Sequence, residues 1–223
     1  MKVGGKSTRI VLIFAICGFF ILSGYFYLDT RLAVFITQIV GKRILFSKTI
    51  SDLPDSMLSL VCATTCFSWA GRLYISQKQD ARLDSEFLEY MGTALPLSFT
   101  LKTILKDLFG RKNTRVWLVH PGSTGFHWFH GGGDFSGFPS GHMAIFTVLG
   151  IGISRYFPRL RLLCAASLLA LALTLIATQY HFLSDIAAGV LTGVLTDMLV
   201  QAGLSLLHGL TGNKACNRRS KAL

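Results

Sequence analysis

His181 and Asp185 stand four positions apart in QYHFLSDIAAG, residues 179 to 189, inside an otherwise apolar part of the chain. On a helix, positions i and i+4 share a face, so the carboxylate can accept a hydrogen bond from one imidazole nitrogen and leave the other free to attack. A nucleophile with its orienter has this arrangement, and a His–Asp tether between two helices is the plainer use of the same pair. A second group lies in FPSGHM, residues 138 to 143. Ser140 is a good N-cap and Gly141 allows close backbone approach, so the first amides of the following helix face outward with the positive end of its dipole. Such an end binds anions, and His142 on the same turn can exchange a proton with them. A capped helix whose histidine merely faces the interface would read the same way. Third, Lys106, Arg111 and Arg115 recur at short intervals in LKDLFGRKNTR, residues 105 to 115. Guanidinium groups match phosphate oxygens bidentately and a lysine supplies a movable charge, although a headgroup contact is the commoner use of a basic cluster at a membrane boundary.

The elements that must position these groups are transmembrane helices. Hydrophobic residues make up 51% of the 223 and charged ones only 15%, with a mean hydropathy of +0.51, which excludes an ordinary soluble domain. A spanning helix needs roughly 20 apolar residues. Six runs of about that length occur, near residues 10–28, 56–75, 88–105, 141–157, 162–180 and 183–208. The spacing predicts an all-α membrane protein, a six-helix bundle in one domain. Residues 29–55 read as an outer, partly amphipathic connection, 76–87 as a charged inner loop and 211–223 as a basic cytoplasmic tail. With the N-terminus inside, most of the 22 Lys and Arg residues fall on the cytoplasmic side. Lys102, Lys106, Arg111, Lys112 and Arg115 are an outer concentration against that trend, so something there calls for positive charge. The same count places the end of the third span, the start of the fourth and the junction of the fifth and sixth on one face, where the three groups can converge.

The net charge of +11 is interleaved with spanning segments, and no nucleic-acid motif accompanies it. Anionic lipid is the expected partner. Cys17, Cys62, Cys66, Cys164 and Cys216 form neither a disulfide framework nor a zinc pattern. The outer segment from 106 to 140 also carries His120, His127, His130 and Asp134. His127 and His130, three apart without a third ligand, do not define a metal site. Trp117, Trp128 and Phe129 suit the membrane interface, and Gly131 to Gly133 could hinge a lid.

Taken together these residues resemble the type-2 phosphatidic acid phosphatase family, whose fold is shared with vanadium haloperoxidases and bacterial acid phosphatases. Its motifs run Lys-x6-Arg-Pro, Pro-Ser-Gly-His and Ser-Arg-x5-His-x3-Asp. The second is complete as Pro139-Ser140-Gly141-His142, and the third keeps His181 and Asp185. Order, spacing and layout match from about residue 88 to 205. Aligned on Lys106, the Arg-Pro pair falls on Asn113-Thr114, with Arg111 and Arg115 to either side. Aligned on His181, the Ser-Arg pair falls on Thr174-Leu175, so one phosphate-binding arginine is absent. The resemblance implies hydrolysis of a lipid phosphate or diphosphate through a phosphohistidine, without a metal or other cofactor. His181 would attack, Asp185 orient it and His142 protonate the leaving oxygen, while Lys106, Arg111, Arg115, Ser140 and Gly141 hold the phosphate. It also implies a bacterial inner-membrane enzyme with both termini cytoplasmic and its site facing the periplasm. The substrate would be an isoprenyl diphosphate such as undecaprenyl diphosphate, lipid A or a glycerophospholipid phosphate. A lipid phosphotransferase using the same phosphohistidine and a catalytically inactive lipid-binding scaffold are the rival readings.

Overall fold

The computed structural model describes residues 3–40, 53–75, 82–122 and 124–220, and every regular element among them is helical. Helix α1 (Val3–Ser23) runs through a single π turn (Gly24–Leu28) into α2 (Asp29–Val40). There follow α3 (Leu53–Ile75), α4 (Arg82–Phe109), the short α5 (Thr114–Val119), α6 (Gly141–Tyr156), α7 (Arg161–Ala177) and α8 (Leu183–Ser220).

Helix α6 is the centre. It packs on α4, α7 and α8, and α8 in turn packs on α1 and α4. With 16 residues at 1.5 Å per residue, α6 is the shortest of the helices that coincide with the expected spans. It is also enclosed: Met143, Ala144, Ile145, Thr147 and Val148 are all buried. Tyr90, Met91, Ala94 and Leu95 of α4 close over Ile145 and Val148, with Met57 and Val61 of α3 and Val200 of α8 completing this core. Gly189 of α8 lets that helix reach the start of α6, because a Cβ there would lie 2.5 Å from the Ser140 carbonyl oxygen.

Helix α7 shows the opposite pattern. Its Leu/Ala-rich sequence favours helix on every face, and Leu162, Leu163, Leu169 and Leu173 remain exposed. Exposed leucines on this scale fit a lipid-facing surface. Three segments, Ile10–Ile39, Pro158–Ala177 and Leu183–Gly209, are long and apolar enough to cross a membrane. The other three expected spans coincide with α3, α4 and α6.

The expected connection and tail are helical where they are described. Residues 29–40, the first part of the connection, are helix continuous with α1, and Asp29 at their start is 2% exposed. Residues 41–52, and 76–81 of the expected inner loop, lie outside the described residues. The expected tail from 211 continues α8 as helix to Ser220.

Candidate active site

The end of α4, the start of α6 and the turn between α7 and α8 meet at one end of the bundle. The turn is built first by backbone. Gln179 adopts φ 55°, the left-handed conformation that ends a helix. The Tyr180 amide then donates to Leu175 O at 2.9 Å. A glycine is usual at such a position; here the buried Gln179 side chain is held by donating from Nε2 to Ala33 O of α2 at 2.9 Å. The next helix begins after Phe182, whose amide donates to Asp185 Oδ2 at 2.9 Å. Three residues after the N-cap, Asp185 thus makes the backward half of a capping box.

His181 lies between these two helix ends, 4% exposed. Its Nδ1 is 2.9 Å from Gly137 O and 3.8 Å from Asp185 Oδ2. The expected hydrogen bond from the imidazole to Asp185 is therefore replaced by one to a carbonyl, since Oδ2 is occupied by the Phe182 amide. A proton on Nδ1 leaves the Nε2 lone pair free. Burial pushes the imidazole below its ordinary pKa and Lys106 adds to that, against the smaller pull of Asp185 and the Gly137 carbonyl.

The His142 ring lies edge-on to that of His181, with centroids 6.3 Å apart and planes at 65°, and its Nε2 is buried without a hydrogen-bond partner. Ser140 caps α6 as expected, its Oγ accepting from the Met143 amide at 3.4 Å. Its own amide donates to Asp185 O at 2.9 Å, which ties α6 to α8. Lys106 and Lys102, one turn apart on α4, both bring charge to bear on His142. A Cβ on Gly141 would stand 3.0 Å from Lys102 Cδ and 3.8 Å from its Nζ, so this ammonium lies over the first turn of α6.

The two arginines are placed differently from expectation. Arg111 is fully buried and four of its five N–H donors are committed. Nε donates to Thr124 O at 3.1 Å, Nη1 to Ser184 Oγ and Asp185 Oδ1 at 2.6 Å each, and Nη2 to Asp29 Oδ2 at 2.7 Å. Burial opposes its charge, but Asp185 and Asp29 outweigh that and raise its pKa. Arg115 donates from Nε and Nη2 to Thr178 O at 3.2 and 2.9 Å and lies over the Tyr180 ring. It closes the carboxyl end of α7, where a cation also meets the helix dipole favourably. Leu175, at the position of the absent arginine, is buried against Met143 and Ile186. Asn113 holds the following loop, donating from Nδ2 to Gly133 O at 3.2 Å.

The structure thus brings together His181, His142, Asp185, Ser140, Gly141 and Lys106, with Lys102 from the expected cationic concentration, and adds Asp29, Ser184 and the Gly137 carbonyl, which sequence reasoning missed. For Asp29 a signal existed: an ionisable residue closing an apolar run of membrane length, the same signal that singled out His181. His127 and His130 are exposed, and no cluster of three metal-binding side chains occurs among the described residues. A family model described as PAP2 superfamily matches residues 87–204, while no curated protein and no solved structure matches the chain.

Proposed function

The chain belongs to the PAP2 superfamily, and from that premise we propose that it is a membrane phosphohydrolase that releases phosphate from a lipid phosphate or diphosphate through a phosphohistidine. The observation that carries this reading is the pair of neighbouring imidazoles, His181 anchored by Nδ1 to Gly137 O and His142 with a buried, unpartnered Nε2, at a helix amino end beside two lysines.

The Nε2 lone pair of His181 forms a bond to phosphorus as the bond from phosphorus to the lipid oxygen breaks. His142, protonated beside the phosphate anion, gives its proton to that oxygen. Water then attacks the phosphohistidine, His142 takes a proton from it, the phosphorus–nitrogen bond breaks and phosphate leaves. Lys106 and Lys102 with the first amides of α6 stabilise the equatorial oxygens as charge develops. Arg111 is a positioning residue in this scheme, because four of its five N–H donors go to Asp29, Asp185, Ser184 and Thr124. Arg115 shapes the rim through Thr178 and Tyr180.

The reading includes six spans, a bacterial inner membrane and a site facing the periplasm. It is supported by the lipid-facing exposure of α1 and α7 and by the gathering of the three motifs at one end of the bundle. Purified protein is assayed with chelator against isoprenyl diphosphate, lipid A and glycerophospholipid phosphates. Phosphate release, blocked by vanadate and absent in His181→Ala, is the expected result. Release that persists in His181→Ala overturns the nucleophile, and loss in chelator overturns the metal-free chemistry.

A further inference from the structure

The residues that do chemistry in the proposed reaction all lie between 87 and 204, the stretch matched by the family model. One side chain that touches their support comes from outside it. Asp29 opens α2, is 2% exposed, and carries three bonds: Oδ2 accepts from Arg111 Nη2 at 2.7 Å and from the Ser184 hydroxyl, and Oδ1 accepts from the Ser184 amide at 3.0 Å.

The last of these answers a local need. The first amides of α8 have no partner within their helix, and Phe182 at the N-cap has no side-chain acceptor. Asp185 serves the Phe182 amide; the Ser184 amide is served from another helix, by Asp29. Two carboxylates therefore hold the amino end of α8, and Arg111 bridges them. The backbone is shaped for this contact. The π turn Gly24–Leu28 precedes Asp29, and a Cβ on Gly24 would lie 3.0 Å from Asp29 Oδ1, Ser184 N and Ser184 Cβ alike, so only glycine lets α1 come this close. Single-turn π insertions are often found where a helix re-aims a functional side chain.

We propose that Asp29 is a positioning residue of the active site, which sets the His181–Asp185 turn through the Ser184 amide and the Arg111 guanidinium, so that the amino-terminal helix is part of the catalytic unit. The effect on the reaction is electrostatic as well as geometric. Two carboxylates to one guanidinium leave a net negative charge behind His181, which favours the positive charge that nitrogen acquires on forming its bond to phosphorus. Without Asp29, Arg111 turns its whole charge on Asp185 and cancels that advantage. Asp29 touches neither substrate nor the attacking nitrogen, so substrate affinity is largely spared.

This inference rests on the hydrolase reading, and the test separates the two. Asp29→Asn, Asp29→Glu, Arg111→Met and the double variant Asp29→Asn/Arg111→Met are purified as full chains in detergent. kcat and KM are measured on a lipid phosphate that the unmodified protein hydrolyses, with thermal midpoints alongside. Asp29→Asn is expected to lower kcat by on the order of 100-fold with KM within about twofold, Asp29→Glu to recover part of the loss, and the double variant to be no worse than Arg111→Met alone. An unchanged kcat in Asp29→Asn, or independent, multiplying losses in the double variant, overturns the proposal while leaving the hydrolase standing. If the unmodified protein releases phosphate from no substrate, the hydrolase reading falls, and the same four thermal midpoints then decide whether Asp29 and Arg111 are coupled: additive shifts overturn it there too.

Discussion

A histidine that attacks must be neutral when it does so, and His181 is kept neutral by its surroundings. Its pKa lies below the ordinary value of about 6.5 because burial and Lys106 both disfavour the cation. Activity that needs the neutral form is full above that pKa and falls as pH drops through it. The acid limb of a kcat/KM profile is therefore expected below pH ~6.5; a limb above that value would contradict the assignment. The lysines are separable from it. Lys106→Met removes a charge that acts on both histidines and Lys102→Met one that acts on His142. Each is expected to lower kcat/KM for lipid phosphate by roughly 10-fold or more, a loss of the size of one charge-assisted hydrogen bond. If neither changes it, the cations that hold phosphate lie elsewhere. Spacing alone singled out His142, His181, Ser140 and Lys106, which the structure gathers at one end of the bundle, since helix-turn geometry is local. It could not reveal what Arg111 does, because that depends on Asp29 and Asp185, 82 and 74 residues away in sequence.

At the scale of elements, two of the three helix ends at the site are closed with help from another element: α7 by Arg115 of α5 and α8 by Asp29 of α2 beside its own Asp185, while α6 is capped by its own Ser140, whose amide donates to Asp185 O of α8. The opposite end of the bundle has its own fastening. Arg155 of α6 meets Asp197 of α8 bidentately at 2.7 and 2.8 Å, and Tyr90 of α4 donates to the same carboxylate at 2.8 Å. These bonds join three helices far from the histidines. Asp197→Asn weakens both, at a cost of about 1–3 kcal/mol, so the thermal midpoint is expected to fall while kcat holds. A matching fall in kcat would mean that the two ends are not independent. Element types and most boundaries were legible from hydropathy. Helix α2 was not, because DTR after an apolar run reads as a break, and only the buried partners of Asp29 make it a continuation.

Across the whole molecule, the proposed orientation, with the cationic loop at the site end facing outward, can be tested by labelling. Trp128 lies half exposed near the site end, and Arg159 is exposed at the opposite end of α6. In right-side-out vesicles, a cysteine placed by Trp128→Cys in a cysteine-free chain is expected to react with an impermeant maleimide. Arg159→Cys should react only after permeabilisation. The reverse pattern would turn the protein over. Hydropathy carried this level well, since burial in lipid or in protein is written in composition. What hydropathy did not show is that α6 lies enclosed by α4, α7 and α8.

The buried cluster of Asp29, Arg111 and Asp185 draws on three stretches that leave the ribosome one after another. Until α8 exists, Asp29 and Arg111 have only each other as charged partners and form a neutral pair. Asp185 tips the balance negative, and it arrives four residues behind His181 in the same turn. In the proposed reaction the attacking group and the charge that settles it are thus delivered together, and a chain that stops before this turn lacks both.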